Sequence, residues 1–269
     1  MVPADFATLA VRADGGVLHV TLNRPAQRNA MSLQMVDELR ALLAQAESAG
    51  AVRAIVLRGA GGHFCAGADL QDMAQARQRE TTGDPDAIAQ VNARFGALCG
   101  AFARTGIATI AVLEGTVMGG GLGLACVVDV ALAGQGAQLR LPETALGVVP
   151  AQIAAFLVGR VGASQARRLA VTGGKLTAAQ ALAIGLVHEV HDDGAALDAA
   201  LAATLAQTLR CAPGAIAATK ALMARALHTP AADLVDDAAR IFAAAARGPE
   251  GLEGMTAFLQ KRAPAWAPQ

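Results

Sequence analysis

The chain has 269 residues, with 22 Lys+Arg balanced by 22 Asp+Glu, so its formal net charge is zero. That balance offers no match to nucleic acid or to an anionic membrane surface, though a local cationic patch for a phosphorylated ligand is compatible with it. Hydrophobic residues make up 54% and charged residues 16%, enough to bury the core of one large domain or two small ones. The opening MVPADFATLA lacks the basic start and long apolar run of a signal peptide, and the apolar stretches further on break at Gly, Asp or Pro before membrane-spanning length. Cys65, Cys99, Cys126 and Cys211 are scattered without C-x-x-C spacing and read as buried free thiols of a reducing, cytoplasmic compartment. His188 and His191 have no second pair to complete a zinc site, so no metal is expected.

In chain order, Val17–Leu22 (VLHVTL) and Val52–Leu57 (VRAIVL) are β-branched runs of strand length. Between them Ser32–Ala49 has the pattern of an amphipathic helix. Ser32 is placed to cap it, Met35, Val36, Leu39, Leu42 and Leu43 form its stripe, and Gly50 ends it. The turn Gly59–Gly62 leads into HFCAGADL (63–70), where Ala66 and Gly67 end a strand in a loop of small residues. The polar segment Gln71–Gln90 reads as a mobile loop. Ile107–Leu113 (IATIAVL) is a buried strand running towards the glycines of VMGGGLGLAC (117–126), and Met118–Leu124 opens a helix. Val127–Ala133 follows as a strand interrupted by Asp129, whose carboxylate is expected to satisfy nearby backbone N–H groups. Strands and helices thus alternate, which predicts an α/β fold. From about Ala195 the pattern changes to four Ala-rich helical segments separated by Pro and Gly, so the expected boundaries are a core over 1–195 and a helical region over 196–269.

Three consecutive glycines with no ionisable neighbour imply that something approaches the backbone closely. Two loops at strand ends, each opening towards a helix, can each aim one N–H at a single oxygen, as in an oxyanion hole. Neither loop has the spacing of a nucleotide cradle. The third element is Glu143 in RLPETALGVVP (140–150), a carboxylate in apolar surroundings and hence a usable acid/base near neutrality. A helix-start Glu held by the dipole is the ordinary alternative. His63 and Cys65 share a strand face, but no orienting acid accompanies them, and packing is the better reading.

The motifs LNRPAQRNAMS (22–32), GGHFCAGADL (61–70), EGTVMGGGLGLACVVDVALA (114–133) and LPETALGVVP (141–150), with EGMTAFLQKRAP near the end, resemble in order and spacing the crotonase, or enoyl-CoA hydratase/isomerase, superfamily. The resemblance covers nearly the whole chain. It implies a spiral of β-β-α repeats with a C-terminal helical region that makes trimer contacts, often in a dimer of trimers. It also implies an acyl-CoA thioester substrate, with coenzyme A as part of the substrate and no separate cofactor. By resemblance, the N–H groups of Ala66 and Gly120 hold the thioester oxygen as it becomes an enolate oxygen, and Glu143 is the acid/base. Ala66, Gly67, Ala68, Asp69, Leu70, Gly120 and Gly123 then line the acyl-CoA, Asp69 chiefly ordering its loop. Arg28, with Arg24 second to it, becomes a candidate for the coenzyme A phosphates, and Lys261 for the nucleotide across a subunit boundary. The segment Gln71–Gln90 becomes part of the acyl pocket.

One position departs from the pattern. Typical hydratases of the superfamily carry a second glutamate where this chain has Gly123, which is expected to leave room beside the site. RLPETALGVVPAQIA, LVDDAAR and AFLQKRAPAW further resemble the isohexenylglutaconyl-CoA hydratase group of acyclic terpene degradation. Hydration of a branched, glutaconyl-type enoyl-CoA is therefore the first expectation. A Δ3,Δ2-enoyl-CoA isomerase working through Glu143 alone is the second, and a non-catalytic thioester- or RNA-binding protein is the third, disfavoured by Glu143 and by the charge balance.

Overall fold

The computed structural model of the chain describes residues 5–268. It begins with an antiparallel pair, β1 (Leu9–Asp14) and β2 (Val17–Leu22). The chain then leaves through α1 (Leu33–Ala49), whose Ser32 side chain accepts from Met35 N at 3.2 Å and whose C-terminus closes on Gly50 with φ 64°. The predicted stripe of α1 is buried, as amphipathic spacing requires. β3 (Ala54–Gly59) returns parallel to β2, and β4 (Ala108–Leu113), buried at every residue, lies parallel to β3. β6 (Val130–Gly134) and β9 (Glu189–His191) complete a six-stranded sheet of order β1-β2-β3-β4-β6-β9. A second sheet holds β5 (Thr116–Met118), β7 (Gln138–Arg140) and β8 (Lys175–Thr177).

The two sheets are built together. β4 joins the large sheet, β5 the small one, and α4 (Gly120–Val127) follows. β6 and β7 repeat the step, and α5 (Ala154–Thr172) follows them. The segment after β3 makes the same move with one bridge, Cys65 to Val117. This is the β-β-α spiral that the motifs imply. Its main core lies among the sheets, α1, α3 (Ala87–Arg104), α4 and α5, with Phe64 and Phe102 as its bulkiest fully buried side chains.

Several local expectations are corrected. β3 starts two residues later than the run Val52–Leu57, and Val127 ends α4 rather than starting a strand. Asp129 lies in an exposed bend, not in a buried strand. Its carboxylate does satisfy Thr109 N at 2.7 Å, and it also takes Lys220 Nζ at 2.7 Å. The polar segment 71–90 is helical apart from a turn at 82–86: α2 (Leu70–Thr81) is capped by Asp69, whose Oδ1 accepts from Gln71 N at 2.9 Å, and α3 begins at Ala87. Only Ala76 of α2 is buried, so no apolar stripe announced this helix and the cap carries the signal.

The composition shift at 195 does not coincide with a packing boundary. α7 (Gly194–Leu209) covers the other face of the large sheet, where Leu197 and Leu201 pack with Val56, Ile110 and Leu132. α8 (Pro213–Ala226) is also tied to the core, because Lys220 reaches Ile107 O at 2.6 Å as well as Asp129. α9 (Ala231–Arg247) and α10 (Pro249–Leu259) pack mainly on one another and on α8. Among the described residues no helix is long and apolar enough to cross a membrane. Cys65, Cys99 and Cys126 are buried free thiols as expected, whereas Cys211 is exposed.

Candidate active site

Glu143 follows β7 by three residues and opens a single 3-10 turn, Glu143–Leu146, closed by Val148 N donating to Glu143 O at 3.0 Å. The neighbouring element is the N-terminus of α4. Gly119 N donates to Arg140 O at 3.0 Å, which ties the glycine run to the strand that delivers Glu143. Gly119 has φ 51°, and a Cβ built on it would lie 3.1 Å from Glu143 Oε1 and 3.6 Å from Gly67 Cα. Any side chain there would be strained in the backbone and would press on the carboxylate. Gly121 serves packing instead, since a Cβ on it would come within 2.7 Å of Cys65 Cβ. The other end of α4 is held by Arg160, whose Nη2 donates to Ala125 O at 3.1 Å and also to Val128 O. A cation on those carbonyls suits the negative end of the helix dipole.

Glu143 is half-buried, and its Oε2 is buried without a hydrogen-bond partner. Burial raises its pKa above the ordinary 4.5, with its own backbone N–H working the other way. The carboxyl is thus poised to take or give a proton nearer neutrality than an exposed glutamate. Cys65 is fully buried and its thiol is pushed up to about 11 by desolvation, while His63 Nδ1 accepts from Thr116 N at 3.1 Å. Neither behaves as a nucleophile or its base.

The oxyanion assignment of Ala66 is corrected by the hydrogen bonds. Ala66 N donates to Arg28 O at 3.0 Å, so this N–H is spent on the loop that precedes α1. Met31 bridges the strand edge at Ala68, receiving Asp69 N at 3.0 Å and giving its own N–H to Gly67 O at 2.7 Å. The N–H between those bonds, on Ala68, has no partner among the described residues. Gly120 is the first residue of α4, and its N–H is likewise unspent. Gly67 C, one bond from Ala68 N, lies 4.0 Å from where a Cβ on Gly120 would stand. Two unspent N–H groups therefore lie on neighbouring loops, and Gly119, next to one of them, faces the Glu143 carboxylate.

The room expected at Gly123 is absent. A Cβ on Gly123 would lie 3.0 Å from Phe95 Cζ and 3.1 Å from Ile153 Cγ1, so an apolar wall stands where the second glutamate would be. The Phe95 ring also approaches Gly120, at 3.4 Å from a Cβ built there. Phe95 and Ile153 escaped the sequence reading. Phe95 lies on the apolar side of α3, but nothing in that periodicity reveals contact with α4. Gly123→Glu is accordingly expected to destabilise the fold by about 1–3 kcal/mol through overpacking, without raising activity. Urea denaturation beside a turnover assay checks both.

The remaining sequence candidates divide. Asp69 orders its loop as expected, by capping α2 and by pairing with Arg24 Nη1 at 2.7 Å. Arg24 Nη1 also donates to Ala30 O at 2.6 Å, which holds this side chain against its own loop. Arg28 is exposed at φ 47° beside the loop it braces through its carbonyl, and Leu70 is an exposed apolar residue at the start of α2. Lys261 follows α10, exposed at φ 54°, and α10 packs principally on α9. Within one chain it is not brought to Glu143 by any described contact. Among the described residues no three His, Cys, Asp or Glu side chains cluster to hold a metal.

With that geometry in view, the family model for enoyl-CoA hydratase/isomerase matches residues 12–269. The chain belongs to the enoyl-CoA hydratase/isomerase family. It is an enzyme of the crotonase superfamily, and its mixed α/β spiral with a helical C-terminal region is the fold of that family's solved members. An enoyl-CoA hydratase/isomerase from Marinobacter aquaeolei is 49% identical with TM-score 0.92, covering 97% of this chain and 99% of its own. Pseudomonas aeruginosa AtuE is 52% identical with TM-score 0.93, covering 97% and 100%. Among curated relatives, the 2,3-dehydroadipyl-CoA hydratase of Escherichia coli is 33% identical over 96% of this chain and 98% of that protein. The 1,2-epoxyphenylacetyl-CoA isomerase of the same organism is 34% identical over 93% and 94%. The family thus spans both hydration and isomerisation.

Proposed function

We propose that this family member is a hydro-lyase that adds water across the α,β double bond of an enoyl-CoA thioester. The observation that carries the reading is Glu143 Oε2, buried and unpartnered beside two unspent backbone N–H groups. The thioester oxygen is received by the N–H groups of Ala68 and Gly120, in place of the pair Ala66 and Gly120, and gains negative charge as water adds at the β-carbon. Glu143 accepts the proton leaving that water and returns a proton to the α-carbon, so one carboxyl serves both steps and ends as it began. Coenzyme A belongs to the substrate, and no separate cofactor enters.

The acyl chain in this reading is branched and of glutaconyl type. Its support is the resemblance of RLPETALGVVPAQIA and AFLQKRAPAW to the isohexenylglutaconyl-CoA hydratase group, not free space at Gly123. Arg28 contacts the coenzyme A phosphates, and Lys261 reaches the nucleotide of a neighbouring subunit. A trimer or dimer of trimers fits the apolar side chains Phe242, Phe258 and Leu259 that α9 and α10 leave exposed. A cytoplasmic location suits the free thiols.

The apolar wall at Gly123 favours a second reading, a Δ3,Δ2-enoyl-CoA isomerase, because moving one proton between carbons needs one base and no second carboxylate. Reaction in oxygen-18 water with straight and branched glutaconyl-type enoyl-CoA substrates separates them. Label in the product hydroxyl is expected. Double-bond migration across the panel with no label would transfer the case to the isomerase.

A further inference from the structure

Beside the wall of Phe95 and Ile153 stands a polar feature for which the chemistry at Glu143 has no use. Gln152 Nε2 donates to Asn92 Oδ1 at 2.8 Å, joining the segment before α5 to the face of α3. The Gln152 amide lies over Gly96, where a Cβ would come within 2.0 Å of its Oε1 and 2.5 Å of its Cδ. Gly96 is therefore a notch in α3 shaped by this amide. Asn92 and Gly96 are four residues apart, so the amide spans one turn of one helix face. The neighbours of the pair in sequence complete the placement: Phe95 lies against both Gly120 and Gly123, and Ile153 against Gly123.

A primary amide offers two donors and one acceptor. The bond to Gln152 engages Asn92 through its oxygen and leaves its nitrogen unengaged. Both N–H groups of Asn92 Nδ2 are without a partner among the described residues. Asn92 is half-buried, three residues before Phe95 on α3.

We propose that the Asn92–Gln152 pair is a specificity-determining contact of the acyl pocket, receiving an oxygen acceptor, a carboxylate or carbonyl, borne on the acyl chain. The reading rests on the acyl-CoA site proposed above and extends it to the chain beyond the reacting carbons. The Phe95 ring holds the place next to Gly120, and Asn92 stands about 4.5 Å further along α3. In this proposal the pair meets the chain past its double bond, not the water that attacks it. Gln152 fixes the Asn92 amide in one orientation, so its donors are aimed before the ligand arrives.

Calorimetric binding of saturated thioesters tests this without requiring turnover. Glutaryl-CoA is expected to bind the wild-type protein about tenfold more tightly than pentanoyl-CoA, the worth of one hydrogen bond to a charged group. Asn92→Leu should abolish that ratio by weakening glutaryl-CoA and sparing pentanoyl-CoA. Asn92→Asp, equal in size but lacking the donors, should reverse it. The arm with 5-oxohexanoyl-CoA separates the two acceptors: a ketone follows glutaryl-CoA in Asn92→Leu but suffers less in Asn92→Asp. Unchanged melting temperatures show that the variants remain folded. A wild-type protein with no preference among the three thioesters overturns the proposal, as does an equal loss for all of them in the variants. Failure to hydrate or isomerise any enoyl-CoA would defeat the proposed reaction and leave the binding preference standing.

Discussion

Glu143→Gln is expected to lower turnover by about 10²–10⁴-fold, the usual worth of one general acid–base group, while acyl-CoA affinity changes little. Glutamine keeps the shape of the side chain against Gly119 but neither accepts nor releases the proton. Single-turnover kinetics beside thioester binding separates the two quantities, and a variant at full activity would defeat both hydratase and isomerase readings. The pH dependence follows from the burial of this carboxyl. Its folded pKa lies above the ordinary 4.5, so the folded protein retains a proton that the unfolded chain has already lost. The associated stability is present below pH 4.5 and is lost as pH rises through the folded pKa. Glu143→Gln should therefore raise the melting temperature at pH 7, and the gain should disappear below about pH 4. The acid limb of the wild-type rate profile should fall above the range of an exposed glutamate. A limb at an ordinary carboxylate pKa would contradict the desolvated site.

Gly120→Pro is expected to cost about 10²–10³-fold in turnover, because it deletes one of the two N–H donors proposed for the thioester oxygen. Proline is tolerated at the first position of a helix, where its missing N–H has no intrahelical partner to lose. Gly120 is that position in α4, and Gly119 before it has the backbone freedom to precede a proline. Gly120→Ala is the matched control, since its methyl would meet Phe95 at 3.4 Å and the N–H would survive. Retained activity in a folded Gly120→Pro enzyme would remove Gly120 from the oxyanion hole. The same logic separates Ala68 from Ala66. A backbone ester in place of the amide at 68 should slow the reaction, whereas at 66 it should chiefly loosen the loop held by Arg28 O.

Much of this protein is written locally. Ser32, the stripe from Met35 to Leu43 and Gly50 specify α1 by cap, period and stop, and the runs Val17–Leu22 and Ile107–Leu113 specify β2 and β4. Ordered motifs placed Glu143, Gly67 and Gly120 in one family before any coordinate, because loops that expose backbone beside a substrate tolerate few side chains. What only tertiary structure decided concerns which partner each group meets. Whether an N–H is free depends on a carbonyl far away in sequence: Arg28 O takes the one on Ala66, and Met31 leaves the one on Ala68 unspent. Whether Gly123 leaves space depends on a ring from α3 and a methyl-bearing chain from the start of α5, which no local pattern connects to it. α7 looks like the helices after it in composition, yet Leu197 and Leu201 bury against the large sheet. Local sequence sets backbone conformation and amphipathic period, both short-range. Donor availability and empty volume belong to the packed assembly of elements, and the chain fixes them only once it has closed on itself.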